Sequence, residues 1–334
     1  EARVKFSDAD VYFASHHWPL WGKDNINNFL EVQRDTYKFI HDQTVRMMNQ
    51  GYTPNEIANQ IKLPEALNQD FHNQGYYGTV QHNSKAVYQF YIGWYTGNPA
   101  KLHPLPESVS ASHYVDMMGG ISSVVEKAQK QFEEASNADA ETGTERYRWL
   151  AELLNQAVFA APDNTDARAL LAKVYDQLGY QAESGPWRDV YLSAAYELRH
   201  GSPDNGIITP VSMKEILKAT PVEELLASMS VRLNAEDAEG EELSILLNFT
   251  DVNEKHLITV KNSVMHHKKI AAQATADATL NLTFTIFVDI AVGQASLKDL
   301  LLGDELSVDG SSLDVLSFVG MFDKPAGTFN IVTP

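Results

Sequence analysis

The chain has 334 residues, 44% hydrophobic and 21% charged, with no cysteine and a formal net charge of −18 from 26 basic and 44 acidic side chains. That length predicts two or three globular domains. The acidity argues against nucleic acid and anionic membrane surfaces as partners, which need a basic footprint, and the missing cysteines exclude disulfides, thiolate catalysis and cysteine-bound zinc. No stretch approaches the roughly 20 apolar residues of a membrane span, and no signal-peptide pattern is visible. The start at Glu1-Ala2-Arg3, without Met and close to a strand, reads as an internal one.

In chain order, Val11–Ala14 is a short apolar run that predicts a buried strand, ended by Ser15-His16-His17-Trp18-Pro19. Residues 25–200 read as helical. Phe29, Leu30, Val32, Tyr37, Ile40, Val45 and Met48 recur at helical spacing before Gly51. Thr53-Pro54-Asn55-Glu56 opens the next helix, with Thr as N-cap and Pro at the first position. Val80–Tyr95 reads as an aromatic helix stopped by Gly97-Asn98-Pro99. Residues 99–110 read as a proline-rich connection, Ile121–Ala135 as an amphipathic helix and 136–144 as a loop. Tyr147–Ala160 and Asp166–Leu178 read as an antiparallel pair that resembles one tetratricopeptide-type hairpin; a single copy is too little for a solenoid.

After Gly201-Ser202-Pro203-Asp204 the pattern changes to α+β. Short helices are expected over Val211–Leu217 and Pro221–Ser228. Strands are expected over Ser230–Leu233, Leu243–Phe249, His256–Val260, Thr279–Leu282 and Leu306–Val308, forming an antiparallel sheet. Asp237–Glu242 reads as an acidic hairpin. Thr283–Val292, Leu297–Leu302 and Ser311–Phe322 read as helices. The domain boundaries that follow are 1–24, 25–203 and 204–334.

Two neighbouring histidines at a strand end point to opposite faces, so one of His16 and His17 can face a given metal. Imidazole is a good zinc ligand with a second nitrogen free for an orienting partner. The plainer alternative is a pair of structural histidines beside two tryptophans. His266-His267-Lys268-Lys269 is a useful control: a second His pair, among lysines, read as a solvated hairpin.

The string Ser15-His16-His17-Trp18-Pro19-Leu20-Trp21-Gly22 resembles the alkyl sulfatases of the metallo-β-lactamase superfamily. Gly75-Tyr76-Tyr77-Gly78-Thr79-Val80, His82-Asn83, Lys85–Gln89, Gly93-Trp94-Tyr95 and Gly97-Asn98-Pro99 are similar to the helical dimerisation region of that family, and the segment after Met117-Met118-Gly119-Gly120 fits it too. The C-terminal region resembles its sterol-carrier-type domain. The resemblance implies the end of a metallo-β-lactamase-like α/β domain, an all-α dimerisation domain and a C-terminal alkyl-chain-binding domain. It also implies a homodimeric, two-zinc enzyme, periplasmic or secreted in bacteria, that hydrolyses long-chain alkyl sulfates.

Under that resemblance His16 is the preferred zinc ligand and His17 the alternate. Tyr77 is the preferred sulfate contact, with Gly75 and Gly78 allowing close backbone approach; aromatic core is its alternative. His82 is a second candidate for the sulfate, with a capping or structural role as its alternative. The HxHxDH-type cluster that supplies the other zinc ligands occurs nowhere in the 334 residues, so activity is expected to need an N-terminal catalytic part. A non-catalytic lipid-binding and dimerisation module is the competing reading. Residues 201–334 carry nine basic and nineteen acidic side chains, a net of −10, so that region is expected to hold the alkyl tail rather than the sulfate. The candidate lining is Phe284, Ile286, Phe287, Leu300, Leu301, Phe318 and Met321, with ordinary core as the alternative. Each buried CH₂ is worth about 0.8 kcal/mol.

Overall fold

The computed structural model describes residues 1–203, 210–271, 274–323 and 328–334. Asp204, where the third predicted segment begins, lies outside them. The chain divides into two units: Glu1–Gly201 together with Asn330–Pro334, and Ser202–Phe329.

The first unit is helical. It begins with α1 (Ala2–Lys5) and a minimal hairpin of β1 (Val11–Tyr12) and β2 (Leu20–Trp21). There follow α2 (Lys23–Met48), α3 (Pro54–Gln60), α4 (Glu65–Asn68), α5 (Val80–Ile92), α6 (Glu107–Met117), α7 (Ile121–Ser136), α8 (Ala140–Ala160), α9 (Thr165–Gln181) and α10 (Gly185–His200). Ile26, Ile40 and Met47 give α2 one buried face. The start of α3 is the capping box expected at Thr53: Glu56 N–H donates to Thr53 Oγ1, and Thr53 N–H donates to Glu56 Oε2. Leu150, Leu154, Ala157, Val158, Leu171 and Val174 form the centre of the helical core.

Glu197 on α10 ties the far end of the chain to this unit. Its carboxylate, 6% exposed, accepts the backbone N–H groups of Ile331 at 3.0 Å and Val332 at 3.1 Å. The Val332 side chain belongs to the helical core. Ser202–Phe329 is therefore an excursion from the helical unit, whose chain both leaves and rejoins it.

The second unit contains α11 (Pro210–Ala219), α12 (Val222–Ser230), β3 (Leu243–Phe249), β4 (Glu254–Lys261), β5 (Val264–Ile270), β6 (Ala278–Leu282), α13 (Phe284–Ala291), α14 (Leu297–Leu300), β7 (Ser307–Gly310) and α15 (Ser312–Gly320). The strand order is β5-β4-β3-β6-β7. The sheet is mixed rather than antiparallel, because β3 pairs with β6 in parallel. Its core face carries Ile245, Leu247, Phe249, Ile258, Val260 and Leu280. Gly310 is required where β7 meets β6: its φ is +103° and a Cβ there would lie 2.5 Å from the Asp277 carbonyl oxygen.

Several local expectations are corrected. The Val11 run is not a buried strand: only Val11 and Tyr12 pair, and Val11 and Phe13 are 51% and 77% exposed. Residues 136–144 are not all loop, because Asp139 caps Thr142 N–H at 3.0 Å and starts α8. Aromatic content carried the predicted Val80 helix too far; it ends at Ile92, where Gly93 has φ +89°. Ser230–Leu233 is no strand. Leu225, Leu226 and Met229 continue the helical burial pattern to Ser230, and Leu233 makes a lone bridge to Phe322. Asp237–Glu242 precedes the first strand of the sheet and joins no hairpin. His266–Lys269 lies within β5; the turn is Asn262-Ser263, both with positive φ.

Candidate functional site

Two segments distant in sequence meet around the histidine pair. The turn between β1 and β2 carries His16 and His17, and the segment from Asp70 to Thr79 leads into α5. The His16 ring stacks on Tyr77 with centroids 6.3 Å apart. His17 meets Phe71 and His72 edge-on, at 6.2 and 5.9 Å. His17 has φ +66°, so the pair sits in a left-handed turn and strand alternation does not set the two ring directions.

His72 is a site neighbour that the sequence reading missed. Asp70 caps the turn over Phe71–Asn73 and holds the ring: Asp70 Oδ1 accepts the His72 backbone N–H at 2.9 Å and lies 3.2 Å from Nδ1. The ring packs on Phe29 of α2 at 4.7 Å. The Asp-x-His spacing was the available signal.

The Gly75–Thr79 segment is fixed by the N-terminus of α10. Gly185 N–H donates to the Tyr76 carbonyl at 2.8 Å, and Ser184 Oγ donates to the Tyr77 carbonyl at 2.7 Å. A Cβ on Gly75 would lie 3.0 Å from the Glu183 carboxylate, so the segment passes close to that side chain. At Gly78 it would make only ordinary contact, 3.6 Å from Asn83. With its main chain pinned, Tyr77 still leaves its side chain 77% exposed.

His82 lies in the first turn of α5, its N–H donating to the N-cap Thr79 Oγ1 at 3.1 Å. The capping role in this turn therefore belongs to Thr79, and the His82 side chain is free to face elsewhere. Trp187 Nε1 donates to His82 Nδ1 at 3.1 Å, with the rings 4.6 Å apart. Desolvation, and then the charge of Lys85, hold the His82 pKa below its ordinary value.

Imidazole nitrogens at His16 and His17 suit zinc. Among the described residues, however, no three His, Cys, Asp or Glu side chains converge as a metal site would need. The two imidazoles would supply at most part of a ligand set, and the described residues do not complete one.

Phe284, Phe287, Phe318 and Met321 are buried core of the second unit, and Ile286, Leu300 and Leu301 pack half-buried against it. On the helical unit, by contrast, Phe90, Trp94 and Met117 are 82%, 75% and 88% exposed. An open cleft of about 420 Å³ nearby is lined by Met48, Tyr52, Tyr88, Ile92 and Tyr95.

Residues 53–201 match the alkyl sulfatase dimerisation family, and residues 210–334 match the alkyl sulfatase C-terminal family. The chain belongs to the alkyl sulfatases. It is 40% identical to the alkyl/aryl-sulfatase BDS1 of Saccharomyces cerevisiae over 100% of its own length and 50% of that protein. Identity to a linear primary-alkylsulfatase of Pseudomonas sp. is 38%, over 98% of this chain and 47% of the relative. The solved stereoselective inverting sec-alkylsulfatase Pisa1 from Pseudomonas sp. superposes with a TM-score of 0.88 at 32% identity, covering 100% of this chain and 51% of Pisa1. The chain thus spans about half the length of the relatives it matches. No helix among its described residues is long and apolar enough to cross a membrane.

Proposed function

We propose that the chain is the C-terminal part of a zinc-dependent alkyl sulfatase that hydrolyses long-chain alkyl sulfates of the dodecyl sulfate type to alcohol and sulfate. The observation that carries this reading is the stacking of His16 on Tyr77 in a chain similar over its whole length to alkyl sulfatases. His16 is the zinc ligand, with His17 the alternate, and the rest of a two-zinc site belongs to an N-terminal catalytic part. Bound zinc would supply an activated water and positive charge for the sulfate oxygens. The chain's own contribution is orientation. Tyr77 offers a phenol O–H, and His82 a ring N–H, to the sulfate group.

The β1–β2 hairpin is the last piece of a metallo-β-lactamase-like domain. Exposed Phe13, Trp18 and Trp21, at 77%, 77% and 62%, support this, since they leave large apolar side chains for the rest of such a domain to cover. The helical unit forms a two-fold dimer through the surface around Phe90, Trp94 and Met117, within the region that matches a dimerisation family. The second unit is the sterol-carrier-like domain and receives the alkyl tail. Because Phe284, Phe287, Phe318 and Met321 are buried, this requires its core to open; Leu301 is only half-buried against that core.

The test is dodecyl sulfate turnover with zinc, by the 334 residues alone and joined to the N-terminal part. Turnover is expected only from the joined protein. Robust turnover by the 334 residues alone defeats the division of the site. No turnover by either leaves the non-catalytic lipid-binding and dimerisation reading in its place.

A further inference from the structure

We propose that Trp187 is a positioning residue that locks His82 in its neutral Nε2–H tautomer and so makes it an uncharged hydrogen-bond donor to an anionic substrate. The tautomer lock stands on geometry alone; that the anion is an alkyl sulfate rests on the functional reading above.

An indole N–H only donates. The bond from Trp187 Nε1 to His82 Nδ1, at 3.1 Å, therefore requires a lone pair on Nδ1. The ring proton must then sit on Nε2, and no other protein hydrogen bond reaches that ring among the described residues. Protonating Nδ1 would set one N–H against another, so the bond exists only while the ring is neutral. Lys85, the charged group that acts on His82, opposes protonation as well.

The same short stretch of chain organises the rest of the segment. Ser184, N-cap of α10, holds the Tyr77 carbonyl, and Gly185 N–H holds that of Tyr76. Tyr77 and His82 are thus referenced to one rigid point, the first turn of α10, and not only to each other along the chain. Both side chains offer neutral donors. A chain of net charge −18 thereby presents two uncharged donors to an anion, with the Lys85 charge acting on the same ring, and the donor stays a donor as pH rises.

The decisive measurement is the ¹⁵N imidazole spectrum of the intact 334-residue protein near neutral pH, with His82→Gln used to assign the His82 signals. The expected result is a bare Nδ1 and a protonated Nε2. An Nδ1–H tautomer, or a cationic ring, overturns the inference whatever reaction the enzyme performs. Trp187→Phe keeps an aromatic ring and removes the N–H; His82 should become a tautomer mixture and titrate at higher pH. Unchanged His82 signals in that variant overturn the lock.

In the protein joined to its N-terminal part, Trp187→Phe should raise KM for dodecyl sulfate about three- to tenfold, with kcat within about twofold, as for a lost neutral hydrogen bond. An unchanged KM alongside a changed tautomer overturns the substrate-donor role. Absence of turnover in the unsubstituted joined protein overturns the sulfatase reading instead and leaves the tautomer result standing.

Discussion

Ser184 Oγ donates to the carbonyl oxygen of Tyr77 at 2.7 Å, across 107 positions of chain. Ser184 is 2% exposed and also accepts the Trp187 N–H at 3.4 Å as N-cap of α10. One hydroxyl therefore begins a helix and fixes the main chain beneath the proposed sulfate contact. Ser184→Ala should cost about 1–2 kcal/mol through the lost cap and the orphaned carbonyl. Urea unfolding measures it, and a change under about 0.3 kcal/mol would show the tie to be incidental.

The pH dependence around His82 has a definite sign. Its folded-state pKa lies below the ordinary value of 6.5, so the unfolded chain binds the proton more readily. The contribution is fully present above about pH 6.5 and is lost as pH falls through the lower folded-state value. Midpoints for the protein and for His82→Gln should differ most above that pH and converge in acid. A gap that widens on acidification would reverse the assignment.

Glu197 offers a larger effect. Glu197→Ala leaves the N–H groups of Ile331 and Val332 without their acceptor, at a cost of about 2–3 kcal/mol. Hydrogen exchange should accelerate selectively at those two amides, and the unfolding midpoint should fall. Glu197→Gln, which keeps one acceptor oxygen, should lose less. Unaltered exchange in Glu197→Ala would mean the carboxylate does not hold the tail.

The two histidines of the turn should separate in a metal assay of the joined protein. His16→Ala is expected to lower zinc content, while His17→Ala retains it. At His17, φ is +66°, so His17→Gly should be accommodated more easily than His17→Val, which is strained in that conformation. Zinc loss on His17→Ala alone exchanges the roles of the pair.

Dimerisation through the aromatic surface is tested by Phe90→Asp together with Trp94→Ser. Both side chains are largely exposed in the single chain, so the fold should tolerate the changes while sedimentation shifts toward monomer. A dimer of undiminished affinity places the interface elsewhere.

Much of this architecture could be read from punctuation. Thr53-Pro54-Asn55-Glu56 announced a capped helix and formed one, and the Gly75–Pro99 string carried the family. Strands among charges were harder. The lysines of β5 hid an outer strand whose other face packs Met265 into the core. At His16 and His17 the obstacle was conformational, since nothing in two adjacent histidines reveals a left-handed φ. The ties from Ser184 to Tyr77 and from Trp187 to His82 join residues over 100 positions apart; such pairs leave no periodic trace, and only the packing of α10 beside the segment before α5 brings them together.

The return of Asn330–Pro334 to the helical unit also bears on how the protein can be dissected. A fragment cut near residue 203 would retain every helix of that unit yet lose Val332 from its core and strand the Glu197 carboxylate in a vacated groove. Supplying the last five residues as a separate peptide, or splicing them after Gly201 through a flexible linker, should recover the lost stability. The helical unit is contiguous in space but not in sequence, and a boundary drawn on sequence alone divides it.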